Sequence, residues 1–586
     1  MPMVSAIFGA TFTGGVCLAL GSLLLRHLRI IFHRLEATLF AFVTGSACLS
    51  TAVFVLCVVH QARPEVLLTG GTAAIILAVL AARRDAPRER LPELSLAWSV
   101  PFTVIFAAFF VCYLSNGLAP EISPDGSSYH LGNVARDLRN HGFDWNYHSI
   151  YSSLSQGMEM LYIVAFSIGR HPAAALVHMA FQTALPLLMV CYGLRFGFPG
   201  VGVFAALITY ACPVVGVTGI SAYNDLAVAT LGFAGFYLLQ VNNDKISVKL
   251  LFIIGLLAGF SYAIKYTAGV AVLLAAVLSR GKRPLALLLG AAATAGPWLV
   301  RNWLWLGNPT APFLNSWFPN PYWTATAEHQ YMAGLSQYPA FKSYCDFIWQ
   351  LTVLGGLVPG MIGPAFLLLP LSLLALRHPH GRKLLLAGLV YAVPAFWNTE
   401  IRFLIPAIPF LALALGLAME HSAGALPAVA LLQTILCWPA IMDTYCDRNA
   451  WRVRGFQFAA AVQPEAESHY IASHVGDYAL KSAIEQDVPM GQGIFSFAGR
   501  AAAYLDRDIV VGYESSLGLR VQNAMQTAVT SGSGQRAATL QAKMAGLGFL
   551  LVNQSDSVAE DMKNHSNIWG VTKVAEANDT TLYRID

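Results

Sequence analysis

SPDGSSYHLGNVARDLRNHGFDWNYH, residues 123–148, is a dense polar segment set between long apolar runs, and it carries an isolated acid, Asp125. A chain patterned in this way reads as a polytopic membrane protein that holds its polar chemistry at a membrane surface. Composition agrees, because 56% of the 586 residues are hydrophobic and only 12% are charged, with a mean hydropathy of +0.56. Those values exclude a large soluble protein. The formal net charge is only +4, and the basic residues fall in short clusters between apolar runs. Such clusters are topology signals, not a nucleic-acid footprint.

Apolar runs at 4–25, 36–59, 66–82 and 98–116 precede the polar segment. Each approaches the length that crosses about 30 Å of hydrocarbon. The first run lacks a basic leader and a small-residue cleavage site, so it reads as a retained helix. Arg26, Arg29 and Arg34 follow it, and Arg83, Arg84, Arg88 and Arg90 follow the third run, which places both connections inside and Asp125 on the outer side. Further runs come at 172–194, 200–217, 225–240, 249–263, 266–279, 284–304, 346–372, 383–398, 402–419 and 424–443. Connections bearing Lys245 and Lys249, then Arg280, Lys282 and Arg283, then Arg377, Arg382 and Lys383 also fall inside under strict alternation. The expectation is a polytopic α-helical membrane protein of about 14 spans, with Asp225, Lys265, Arg301 and Arg402 at the same outer face as Asp125.

From about 444 to 586 no spanning run remains, and a water-soluble outer domain is expected. GIFSFAG (493–499), DIVVGY (508–513), GFLLVN (548–553) and TTLYRI (580–585) read as strands, with helical patterns at 468–485 and 535–546. Together they predict a small α/β or α+β domain. The Pro- and Trp-rich connection 305–342 is too long for a passive link and reads as an ordered lid or cleft wall. The domain scheme is therefore N-terminal additional helices at 1–97, a membrane core at 98–443 with outer loops 117–155 and 305–345, and a soluble domain at 444–586. Seven of the nine cysteines lie within apolar runs without metal spacing; Cys345 and Cys446 flank predicted spans. No Walker loop, HExxH, CxxC or GxSxG occurs, and no metal ligand set is assigned.

Asp125, between Pro124 and Gly126, is either a general base at the membrane boundary or a turn and capping residue. If 127–139 is a surface helix in the interface plane, Asp125 and Tyr129 share a face, with His130 beside them. Glu159 heads an apolar stretch, where an acid either faces a polar cavity or sits among headgroups. Asp225 directly precedes a run, as a helix-start acid or a site residue. Lys265 interrupts a 31-residue apolar stretch as GFSYAIKYTAG, splitting it into two short helices, and needs a counter-ion, a lipid phosphate or a substrate phosphate. Arg301 and Arg402 are membrane anchors if read singly; with Lys265 they form a set suited to a lipid-linked phosphate, the alternative being that Glu400 and Arg402 neutralise each other. Trp145, Tyr147, Tyr151, Trp317 and Trp323 either stack on sugars or form an interfacial belt.

The order of these motifs resembles the GT-C fold polyprenyl-phosphate-sugar-dependent membrane glycosyltransferases, the superfamily of the protein O-mannosyltransferases and aminoarabinose transferases. The resemblance spans 98–586 and rests on PDGSSYHL (124–131), KYT (265–267), PWLVRNWLWLGNP (297–309), RFLIPAIPFLAL (402–413) and LGFLLVN (547–553). It implies inverting transfer from a lipid-phosphate sugar, with Asp125 as general base and Lys265, Arg402 and Arg301 holding the donor phosphate. Tyr129, His130, Glu159, Asp225 and Tyr266 become candidates for binding substrate or acceptor. The implied partners are a polyprenyl-phosphate-linked sugar, a lipid, glycan or protein acceptor, and membrane lipids, without nucleic acid. The implied location is a bacterial inner membrane with the site facing the periplasm. Many relatives carry a second acid directly after the first, whereas Gly126 follows Asp125 here, which leaves any divalent cation unassigned. Readings of a different class are a transporter or flippase of lipid-linked sugar, and a non-enzymatic membrane scaffold; no matched pair of halves of the kind transporters use is visible in the sequence.

Overall fold

The computed structural model describes residues 2–586 except 83–88, 146–147, 242–245, 282, 338, 399 and 423. Arg83, Arg84, Arg88, Lys245, Lys282 and Tyr147 therefore lie outside the described residues. Among the described residues, seven helices are long and apolar enough to cross a membrane: Met3–His27, Arg34–Val58, Pro64–Ala82, Leu96–Gly117, Gly157–Phe196, Pro284–Leu306 and Ile401–Met419. The chain is a multi-pass membrane protein. An eighth span arises if Pro199–Tyr210 and Pro213–Gly219, bent by 66°, count as one.

The expected count of about 14 is not confirmed, for a physical reason. Apolar windows see composition but not backbone breaks. The run at 346–372 holds Gly355, Gly360 and Gly363, with φ of +68°, +110° and +99°, and it splits into helical pieces on either side of them. Other runs become short helices, Asp225–Val241, Val248–Ile264, Tyr266–Leu278 and Ala425–Leu436. Conversely, the span expected at 172–194 extends back to Gly157, with a break at Arg170.

The chain divides into two compact units. Unit 1 is Met1–Ala119, Ser155–Pro297 and Leu335–Ala461, and unit 2 is Pro120–Leu154, Trp298–Gly334 and Val462–Asp586. Within unit 1 the first two helices touch backbone to backbone. A Cβ added at Gly21 would lie 1.8 Å from the Ala41 carbonyl oxygen, and one at Gly45 would lie 1.6 Å from that of Cys17. Only glycine permits that crossing, the device by which apolar helices pack in lipid. Glu36, fully buried in the second helix, accepts from Arg195 Nη1 at 2.6 Å and from the Tyr237 hydroxyl. A buried carboxylate is tolerable only when paired in this way, and the pairing ties the N-terminal helices to Gly157–Phe196 and Asp225–Val241.

Unit 2 contains a five-stranded sheet of β1 (Gly493–Ser496), β2 (Ile509–Val511), β3 (Leu547–Asn553), β4 (Val571–Ala577) and β5 (Thr580–Ile585). The order is β2-β1-β3-β5-β4; the first three strands are parallel, and β5 and β4 are antiparallel to their neighbours. β3 is apolar almost throughout because both its faces are covered. Ser516–Ser531 and Gln535–Met544 form the crossover between β2 and β3, and their Val521, Met525 and Ala542 pack in one core with Phe495, Leu550 and Trp569. Trp569 is fully buried, with its indole N–H donating to Asp561 at 2.8 Å. Trp569→Ala should destabilise this sheet by about 3–5 kcal/mol, read as earlier loss of its circular-dichroism signal on heating. β4 was not anticipated; its exposed Thr572, Lys573 and Glu576 give it a polar sequence, as suits an edge strand.

Candidate functional site

The candidate residues fall in two groups, one in each unit. In unit 1 the helix Val248–Ile264 ends at Lys265, whose backbone is extended (φ −153°, ψ 122°), and a tight turn, Tyr266–Gly269, leads into Val270–Leu278. The interruption expected at Lys265 is therefore a real helix break. Its ammonium lies 2.6 Å from Asp225 Oδ1 and 4.0 Å from the centre of the Phe403 ring. Asp225 opens the helix Asp225–Val241, where the partial positive charge of the helix end favours a carboxylate. The next backbone N–H, of Leu226, donates to His178 Nε2 at 3.1 Å, and His178 Nδ1 lies 2.9 Å from the Ser221 carbonyl. This histidine therefore clamps the helix start.

Asp225 and Lys265 line one cavity of about 260 Å³ with Thr267, Tyr391, Phe403 and Pro406. Arg402 Nε lies 2.5 Å from Glu400 Oε2, and its guanidinium lies over the Tyr223 ring at 4.8 Å and that of Trp451 at 5.7 Å. The charge of Arg402 also acts on Asp225. Two cations and two carboxylates are thus gathered at this break. Tyr266 stacks on Tyr262 at 4.9 Å, and Glu159 is buried in the first turn of Gly157–Phe196.

In unit 2, Asp125 is half-buried and immediately precedes a wide helical turn, Gly126–His130, that runs into Leu131–Arg139. The Tyr129 hydroxyl donates to Asp125 Oδ2 at 3.0 Å, and the Tyr129 ring stacks on Tyr151 at 3.8 Å. Tyr151 and Tyr331 hydroxyls meet at 3.2 Å. His130 is buried with its ring against Tyr129. A Cβ at position 126 would lie 2.5 Å from Ser123 Oγ and 2.6 Å from the Glu121 carboxyl carbon, so a larger residue there would displace those two side chains.

Arg301 also lies in unit 2. Its Nη2 donates to the Ser152 and Leu154 carbonyls at 3.1 and 2.9 Å, and the guanidinium lies 4.6 Å from the Trp298 ring. Asn302 Nδ2 donates to the Ser153 carbonyl at 2.6 Å, so the pair fastens the segment 152–154. Arg301→Met should remove the donor shared by the buried Ser152 carbonyl and the part-buried Leu154 carbonyl, at about 1–3 kcal/mol, and should be visible as faster protease cleavage of this segment. Lysine should not rescue it, because one ammonium cannot reproduce the fork.

Sequence reading missed Glu514. It is buried just past the end of β2, and Ser149 Oγ donates to its Oε2 at 2.6 Å. Burial, together with the negative charge of Asp125, pushes its carboxyl up to about 7 against the opposing Ser149 hydrogen bond. A lone acid outside any motif carries no signal of its own in the sequence. Among the described residues, no three His, Cys, Asp or Glu side chains gather as a metal would require.

No protein-family model and no curated protein matches the chain. Solved structures do. The chain is similar to ArnT from Cupriavidus metallidurans bound to undecaprenyl phosphate, at 14% identity and a TM-score of 0.49, over 84% of this chain and 99% of that one. It is similar to the oligosaccharyltransferase of Archaeoglobus fulgidus tethered to an acceptor peptide, at 12% identity and 0.47, over 78% and 69% of the two chains. The archaeal oligosaccharyltransferase AglB from Archaeoglobus fulgidus, in complex with an inhibitory peptide and a dolichol-phosphate, matches at 11% identity and 0.45, over 80% and 70%. At these identities and scores the residues of this chain, not the likenesses, carry the functional reading.

Proposed function

We propose that the chain is an integral membrane glycosyltransferase that moves a sugar, with inversion, from a polyprenyl-phosphate donor to a hydroxyl or amine acceptor. The observation that carries this reading is the broken helix at Lys265, where an ammonium paired to Asp225 opens on a cavity among apolar helices. A cation at membrane depth is costly and is kept where it meets an anion. A lipid-linked phosphate supplies one while its isoprenoid chain stays in hydrocarbon. Lys265 has three N–H donors, and its bond to Asp225 uses one of them.

In the reaction, the acceptor oxygen or nitrogen bonds to the anomeric carbon as the bond from that carbon to the phosphate oxygen breaks. The leaving phosphate keeps the electron pair, and Lys265 and Arg402 stabilise its charge. Asp125 takes the acceptor's proton. Tyr129 fixes the Asp125 carboxylate, and Arg301 holds the segment that carries Tyr151 and its neighbours. His130, Glu159 and Tyr266 are proposed to shape the binding of donor and acceptor. The working location is a bacterial inner membrane with the chemistry on the periplasmic side. There, the domain from 444 onward would help to hold a lipid, glycan or protein acceptor.

Purified protein should transfer radiolabelled sugar from at least one member of a panel of polyprenyl-phosphate sugars. Binding of donor without transfer, together with its movement between leaflets of a vesicle, would replace this reading with a transporter.

A further inference from the structure

A cleft of about 510 Å³ lies within unit 2 along the edge strand β2, bounded on its other side by the helix Leu131–Arg139. At one end Arg136 pairs with Asp508. At the other lie Ser128, Tyr129, Ser149 and Glu514. These residues are linked: Tyr129 donates to Asp125, its ring lies on Tyr151, the Tyr151 backbone N–H donates to Ser149 Oγ at 3.3 Å, and Ser149 donates to Glu514. Asp125 and Glu514 therefore stand at the two ends of one chain of contacts through Tyr129, Tyr151 and Ser149, and the Asp125 charge raises the Glu514 carboxyl.

We propose that Glu514 is the second carboxyl of the reaction, a positioning residue that receives the proton from Asp125 and releases it into the cleft. The inference rests on the transfer reading above. The acceptor's proton passes to the Asp125 carboxylate as the new glycosidic bond forms and the phosphate leaves. It then passes to the Glu514 carboxylate and on to water, so Asp125 starts the next turnover as a base. Glu514 lies in the short turn Gly512–Glu514, just past the carboxyl end of the edge strand β2, where it faces the cleft. Asp125 and the Ser149 hydroxyl act on Glu514, and Glu514 in turn acts on the Tyr151 and Tyr513 hydroxyls that face it.

Burial and the Asp125 charge hold Glu514 near 7, so it accepts a proton more readily as pH rises through that value. The wild-type kcat should therefore rise through about pH 7. In Glu514→Gln that limb should vanish, with kcat lower by on the order of tenfold or more and KM little changed. Ser149→Ala, which removes a hydrogen bond to the charged form, should move the limb to higher pH and serves as the second test should Glu514→Gln fail to fold. Independently of turnover, infrared titration of the full-length protein should show a carboxyl near pH 7 that is lost in Glu514→Gln and moves to lower pH in Asp125→Asn. A wild type that transfers sugar, beside a Glu514→Gln variant with unchanged kcat and an unchanged limb, overturns the inference alone. A carboxyl titration unmoved in Asp125→Asn overturns it too. A wild type that transfers from no donor overturns the transfer reading and the role built on it, whatever the titration shows.

Discussion

Replacing Asp125 by asparagine should lower sugar transfer by on the order of 10²- to 10⁴-fold, the usual range for loss of a positioned general base. The substitution keeps the volume and keeps an oxygen for the Tyr129 hydroxyl, which lies 3.0 Å from the carboxylate. What it removes is the proton acceptor, so kcat should fall while donor binding, measured in parallel by retention of labelled lipid, stays within a few-fold. The alternative role for Asp125, opening the turn Gly126–His130, predicts a different pattern. Asparagine is as good as aspartate at a turn or helix start, so a purely structural Asp125 would leave both transfer and folding intact. Tyr129→Phe separates orientation from chemistry. It should cost only the net value of one hydrogen bond to a charged group, about 1.5–3 kcal/mol at most, and should leave the acid limb of the rate profile in place.

The class of the protein is legible in its sequence because hydropathy is a property of composition, and the helices that cross a membrane are long apolar runs. Their number is less legible, because a window over 346–372 averages across Gly355, Gly360 and Gly363, whose backbone conformations end a helix. Strands β1, β2, β3 and β5 show as apolar runs, since their residues pack on a common core; β4 shows its exposed Lys573 and Glu576 instead and reads as loop. The closeness of Asp125 and Tyr129 follows from helical spacing. The link from Ser149 to Glu514 does not, because 365 residues separate the partners and neither lies in a motif. Glu36 was hidden for the same reason, its partners Arg195 and Tyr237 being 159 and 201 residues away.

The pair Lys265 and Asp225 offers the second large effect, and it separates stability from binding. Asp225 is 2% exposed, so Lys265→Met leaves a buried carboxylate without its closest cation. Breaking such a pair from one side costs about 3–5 kcal/mol, which should appear as a marked loss of thermal stability in detergent. Asp225→Asn should be milder, because the Lys265 side chain is 19% exposed and its ammonium retains the Phe403 ring at 4.0 Å. The double variant Asp225→Asn with Lys265→Met removes both charges together and should recover most of the lost stability, since replacing a whole buried pair is often neutral. Stability regained does not restore a phosphate ligand. If Lys265 holds the donor, the double variant should be folded yet bind a polyprenyl phosphate at least tenfold more weakly than wild type, a difference of about 1.4 kcal/mol. If the pair is only a brace between Asp225–Val241 and the break after Val248–Ile264, binding should return with stability. A double-mutant cycle read by both measurements therefore distinguishes a cation kept for the fold from one kept for a ligand.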